Sequence, residues 1–249
     1  MKKLTLLLLG LLLTAGPVLA AKVSDVYNTK HNLASTQPNP FWNAAYSALN
    51  VDEVCIFCHT PHGGSLDGPL WNRDLSAISG AAVYTHYSSE TLSTTVGASN
   101  RAVNKQSLLC LSCHDGSIGV GDNLINNGGT IPDNTGAFFK VVLDPDGINP
   151  GKRTGAARGN LFSTTDLSDD HPISFNYPDV FADATNAGAL HTVVDIEAAD
   201  LVLYNGASKT VECVTCHDPH VDSSVDADYK PFLRIPNTGS GMCLACHIK

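Results

Sequence analysis

Apolar positions along this 249-residue chain seldom keep a regular period, and the exception comes first. Leu4 to Leu13 is an apolar run that follows Lys2 and Lys3 and precedes the small residues Val18-Leu19-Ala20. That order, charged start, short apolar core and small-residue end, is an export signal over residues 1–20, with the mature chain beginning at Ala21. Broken by Gly10 and closed by Gly16-Pro17, the run falls short of the ~20 residues needed to span a bilayer. No cysteine near the cleavage site suggests a lipid anchor.

Beyond the signal, the pattern predicts loops with brief elements. Gln37-Pro38-Asn39-Pro40 is a loop signal, and the aromatics Phe41, Trp42 and Tyr46 after it read as packing. A Ser/Thr-rich stretch around Leu70-Trp71, Tyr84, His86 and Tyr87 shows no sustained 3.6-residue period, so one or two short helices among loops are expected there. From Asp115 to Glu212 the chain is punctuated by Gly116, Gly119, Gly121, Pro132, Asp144-Pro145-Asp146-Gly147 and Asn149-Pro150-Gly151, which mark turns. Phe138 to Leu143 reads as one strand, and Val193 to Tyr204 is an apolar segment of ambiguous type. The basic cluster Lys152, Arg153 and Arg158 reads as solvated loop surface.

All eight cysteines fall into one pattern, Cys-x-x-Cys-His, at Cys55/Cys58/His59, Cys110/Cys113/His114, Cys213/Cys216/His217 and Cys243/Cys246/His247. This is the attachment signature of c-type haem: two thiols add to the porphyrin vinyl groups, and the adjacent imidazole binds the iron. Cysteines three apart share one face of a helical turn, so both sulfurs reach one porphyrin edge while the next residue turns its ring under the metal. A zinc ribbon, a thioredoxin-like pair or four disulfides would each accept such cysteines. None requires a histidine after every second cysteine. Four covalently bound haem c groups are therefore expected.

A loop of nearly a hundred residues would be odd in a compact domain. Where porphyrin faces form the core, coil wrapped over them is expected. The fold class is accordingly multihaem cytochrome c, mostly irregular coil with short α-helices at the attachment motifs, little β, and haems as the core. Haem attachment to thiols takes place outside the cytoplasm in bacteria, which agrees with an exported, periplasmic or extracellular chain. Removing Lys2 and Lys3 moves the formal charge from -9 to -11. That balance argues against nucleic acid and anionic membranes, and steered partners should present basic patches.

The motifs repeat as pairs. Glu53 to His62 echoes Glu212 to His220, each followed by a proline-led apolar stretch (Pro69 to Arg73, Pro231 to Arg234) and then by a Cys-Leu-x-Cys-His motif. Residues 21–249 thus read as one tetrahaem domain of two haem-pair units, about 21–125 and 165–249, joined by a Gly/Pro/Asn-rich connection.

Cys-His-Thr-Pro-His-Gly at 58–63, Cys-Leu-Ser-Cys-His-Asp-Gly at 110–116, His-Pro-Ile at 171–173 and Cys-His-Asp-Pro-His at 216–220 resemble the doubled Cys-x-x-Cys-His cytochromes of metal-reducing bacteria. Within that group the chain is similar to tetrahaem cytochromes that polymerise into extracellular filaments. The resemblance implies electron conduction along a continuous haem chain and a head-to-tail contact between copies, which gives a filament when it does not close.

Four irons need eight axial ligands. His59, His114, His217 and His247 supply four. The remainder come from His31, His62, His86, His171, His191 and His220, since the mature chain's one methionine, Met242, directly precedes Cys243. Pro61 and Pro219 should turn the chain out of the attachment helix at Thr60 and Asp218, which keeps His62 and His220 from the far face of their own haem and sends each to a different iron. In a filament that iron could belong to the neighbouring copy, with His62 the first candidate for this role and His31 the second. His171, extended before Pro172, and His31 complete the set. His86 and His191 are read as surface or hydrogen-bonded residues. The expected function is an electron carrier of anaerobic respiration rather than an enzyme, serving redox partner proteins or extracellular acceptors. A multihaem oxidoreductase with one open iron, or an electron-transfer subunit of a larger exported complex, are the other readings.

Overall fold

The computed structural model describes residues 25–34, 52–75, 83–90, 92–97, 100–114, 125, 166–222 and 226–249. The export signal, Phe41 to Tyr46, the Phe138–Leu143 run and the basic cluster lie outside them.

The elements are brief. Strands β1 (Val83–His86), β2 (Asn100–Ala102) and β3 (Asp166–Leu167) form one sheet in the order β2-β1-β3. β1 pairs antiparallel with β2, placing Tyr84 opposite Arg101, and parallel with β3, placing His86 opposite Leu167. Strands β4 (Phe175–Asn176) and β5 (Thr210–Val211) pair antiparallel. Helix α1 (Lys105–His114), of ten residues, is the longest among the described residues. It is followed by α2 (Tyr177–Ala182), α3 (Val193–Ala198), α4 (Cys213–Cys216) and α5 (Gly241–Leu244).

Helices this short are marginal alone and depend on caps and packing. Asn176 caps α2 by accepting from the Asp179 N–H at 3.2 Å, with Pro178 in the first turn, where its missing donor costs nothing. Thr192 and Asp195 form a reciprocal capping box on α3, a motif whose loss typically costs about 1 kcal/mol. The ambiguous Val193 to Tyr204 segment is two elements. α3 ends at Ala198, Asp200 takes a left-handed turn at φ 67°, and the extended chain beyond buries Leu201 and Leu203.

Among the described residues, burial is divided among three clusters. Phe57 and Ala34 pack with Cys58 at the first motif, and Leu108 and Leu111 pack with Leu75, Tyr84, Val103 and Leu167 at the second. Val96, Phe175, Tyr177, Val180, Ile196, Leu201, Leu203 and Val211 form the third, with Ala245 and Cys246 of the fourth motif on its rim.

Three motifs sit in helices: the second ends α1, the third is α4, and the fourth overlaps α5. The first, expected as a helix, is a single turn. The same bond closes the turn at the first, third and fourth motifs, from the histidine N–H to the first cysteine's carbonyl, at 2.7 Å (His59), 3.0 Å (His217) and 2.9 Å (His247).

Candidate haem-binding site

The duplication extends to individual hydrogen bonds. Thr60 N–H donates to Leu70 O at 2.8 Å and Asp218 N–H to Phe232 O at 2.8 Å; Asn72 N–H donates to Cys58 O at 2.9 Å and Arg234 N–H to Cys216 O at 2.9 Å. Leu70 and Phe232 share a left-handed backbone, φ 52° and 57°. The equivalent of Arg234 is thus Asn72, not the Arg73 that the sequence echo suggests. Both side chains do the same work: Asn72 Nδ2 donates to Ile56 O at 2.6 Å, and Arg234 Nε to Val214 O at 2.5 Å. Gly64 permits the first of these loops, because a Cβ there would lie 2.8 Å from the Leu70 carbonyl carbon.

In both units the chain leaves the attachment turn at the histidine itself, one residue before the point that the prolines predict. Backbone bridges from His59 to Trp71 and from His217 to Leu233 draw it into extended conformation there.

Four imidazoles are held from one side. His59 Nδ1 lies 2.8 Å from Pro69 O, His217 Nδ1 2.9 Å from Pro231 O, His171 Nδ1 2.8 Å from Pro172 O, and His220 Nδ1 3.0 Å from Asp218 Oδ1. Each partner is an oxygen that can only accept, so Nδ1 carries the proton and Nε2 keeps its lone pair. That is the tautomer a metal ligand needs, and the bond to Nδ1 fixes the ring and strengthens it as a donor.

Three pairs of histidine rings lie close together, one near parallel and two edge-on. The ring centroids of His59 and His220 are 6.2 Å apart, those of His31 and His114 6.2 Å, and those of His171 and His247 6.4 Å. A metal bond of about 2.0–2.1 Å to each imidazole nitrogen, plus roughly 1.1 Å from nitrogen to ring centre, sets opposed ligands of one metal about 6.2–6.4 Å apart, so the pairs fit two axial ligands of a single iron. Each pair joins an attachment-motif histidine to one from elsewhere. Among the described residues no three His, Cys, Asp or Glu side chains gather as a metal site on their own. A porphyrin iron asks the protein for two ligands only.

His217 has no such ring partner among the described pairs. His62 is exposed, with its carbonyl accepting from Thr60 Oγ1. His191 is half-buried and engaged through its backbone, its N–H on Cys246 O and its carbonyl receiving the Tyr177 hydroxyl. His86, read from the sequence as a surface or hydrogen-bonded residue, is 1% exposed, and neither ring nitrogen has a hydrogen-bond partner of good geometry. Burial first, then the nearby Arg101 charge, pushes its pKa down to about 4, against a small opposing contribution from the Arg101 backbone. The signal was legible: Tyr84 and His86 alternate with Thr85 and Tyr87, the period of a half-buried strand.

Burial, with His114 and His220 beside it, likewise lowers His31 to about 4, and its Nδ1 is shut off from solvent without a partner. Burial raises the thiols of Cys58 and Cys216 to about 12 and of Cys246 to about 11. Consecutive motifs are neighbours: Cys58 feels Cys113, the Cys110 and Cys213 thiols touch, and Cys216 feels Cys246.

No protein-family model matches the chain, and no curated protein matches it significantly. No helix among the described residues is long and apolar enough to cross a membrane.

Proposed function

We propose that the chain is an exported tetrahaem c-type cytochrome that carries electrons along a row of bis-histidine haems. The observation that supports this best is the set of three histidine pairs at 6.2–6.4 Å, each containing one Cys-x-x-Cys-His histidine. Cys55 and Cys58, Cys110 and Cys113, Cys213 and Cys216, and Cys243 and Cys246 would hold the four groups, with His59, His114, His217 and His247 as near-side ligands. His220, His31 and His171 would be the far-side ligands of the first, second and fourth. When bound, haem supplies reversible one-electron chemistry at low potential, as two imidazoles favour the ferric state. The chain's own part is to fix ring orientation through the Nδ1 bonds, keep water out with three small cores, and set consecutive attachment sites side by side.

The duplication supports a further step. His31 and His171, each ahead of the first motif of its unit, face the second-motif histidines His114 and His247 of the same unit. His220, from the second unit, faces His59 of the first. Carried on by one unit, the rule gives His217 a ligand equivalent to His220 from a following unit, and that equivalent is the exposed His62 of another copy. The contact is heterologous and does not close, so it would build a filament.

The unpaired His217 also suits an oxidoreductase with one open iron, and carbon monoxide separates the two. On the filament reading, dilute reduced protein binds one carbon monoxide per chain and assembled protein binds none. On the enzyme reading, one site per chain stays open at every concentration. Binding at three or four irons in either state overturns the ligand pairs.

A further inference from the structure

Glu212 is 1% exposed, and it stands between α1 and α4, directly before Cys213. Its Oε1 receives Asn104 Nδ2 at 2.7 Å and Thr210 Oγ1 at 2.7 Å, and its Oε2 receives Ser107 Oγ at 2.6 Å and Ser174 Oγ at 2.9 Å. The three hydroxyl oxygens are also acceptors. Ser107 Oγ accepts from Cys213 N–H at 3.0 Å, Ser174 Oγ from Asn104 N–H at 3.0 Å, and Thr210 Oγ1 from Asn205 Nδ2 at 2.8 Å. Each hydroxyl keeps its own proton free to turn to Glu212. With Asn104 Nδ2, that makes four donors available to the two carboxyl oxygens, the surrounding that an ionised carboxylate takes.

The sequence echo sets Glu53 beside Glu212, but counting back from each motif's first cysteine puts Val54 where Glu212 stands, so the first unit has no carboxylate at this place. The carboxylate thus belongs to the junction of α1 and α4, where Cys110 and Cys213 meet. Its charge reaches the Arg101 guanidinium, which donates to Ile173 O at 2.6 Å.

We propose that Glu212 is a fixed buried anion that sets the potentials of the haems on the second and third motifs, holding them below the values that the axial ligands alone would give. The inference rests on the haem reading above. Reduction adds an electron beside a negative charge that solvent cannot screen, and a low local dielectric makes that repulsion felt. The four donors are what keep the charge there, since a buried carboxylate without them would be costly.

Spectroelectrochemistry of E212Q and E212D holoprotein tests it, with intact mass measured on the same samples. E212Q should keep four haems and move one or two of the four midpoints upward by about a tenfold change in the reduction equilibrium, about 59 mV for a one-electron couple. E212D, which keeps the charge, should leave them near wild type. Four haems with unmoved potentials in E212Q overturns the inference and leaves the haem reading intact; wild-type protein without four haems overturns both. If E212Q fails to load haem, R101Q decides: with the neutralising guanidinium gone, the same midpoints must move down, and unchanged values overturn the inference.

Discussion

His220 lies nearly parallel to His59, 19° between planes and 6.2 Å between centroids, although only three residues separate it from the third motif's own His217. The second unit thereby reaches back to the first, as it does where Val96 packs among Phe175, Tyr177 and Val180 and where Leu167 packs beside Leu75 and Tyr84. Alanine at His220 should open the iron on the first motif and leave the third unchanged. A spectral change traced to the third motif would refute the pairing.

H31A and H171A should each convert one haem from low-spin to high-spin, at the second and fourth motifs. Because the pairs are separate, the triple variant with H220A should convert three, and H191A none. Electron paramagnetic resonance counts them directly, and fewer than three lost in the triple variant contradicts the assignment.

The four Cys-x-x-Cys-His motifs stand in the sequence whatever the fold around them, and the structure sets three of them in helices. Which histidines lie together was not legible: no local pattern says that the His31 ring lies 6.2 Å from that of His114. The echo of Arg73 and Arg234 misled by one position, since residue type was matched where the fold matches hydrogen-bonding place, Asn72 with Arg234. The surroundings of Glu212, which the sequence marks only as the start of an internal echo, were not legible, because its four donors arrive from positions 104, 107, 174 and 210, separations that no motif encodes.

His86 should make the protein acid-labile. Its folded pKa of about 4 lies below the ordinary 6.5, so the neutral ring's contribution is fully present above pH 6.5 and is lost as pH falls toward about 4. H86F, of similar shape and without a charge to acquire, should flatten the stability profile across that window. Urea titrations at pH 7 and pH 4.5 on both proteins measure it, with an unchanged wild-type-like profile as the contrary result.

Leu111 is wholly buried beside Tyr84 and Leu108, one residue past Cys110. L111A should lower stability by about 2–5 kcal/mol through the cavity it leaves. The change should appear in chemical denaturation with the haem count unaltered.

H62A should keep four haems per chain and the three internal ligand pairs, and should lose association between copies. Analytical ultracentrifugation of wild type and variant over a range of concentrations reports this. Assembly of H62A equal to wild type would remove His62 from the contact.

The central claim is tested most directly by the intact mass of the processed, exported chain under denaturing conditions. The account predicts the mass of residues 21–249 plus four haems that resist denaturant. Fewer than four covalent haems on fully processed protein, or a mass matching four disulfides or bound zinc instead, would contradict it.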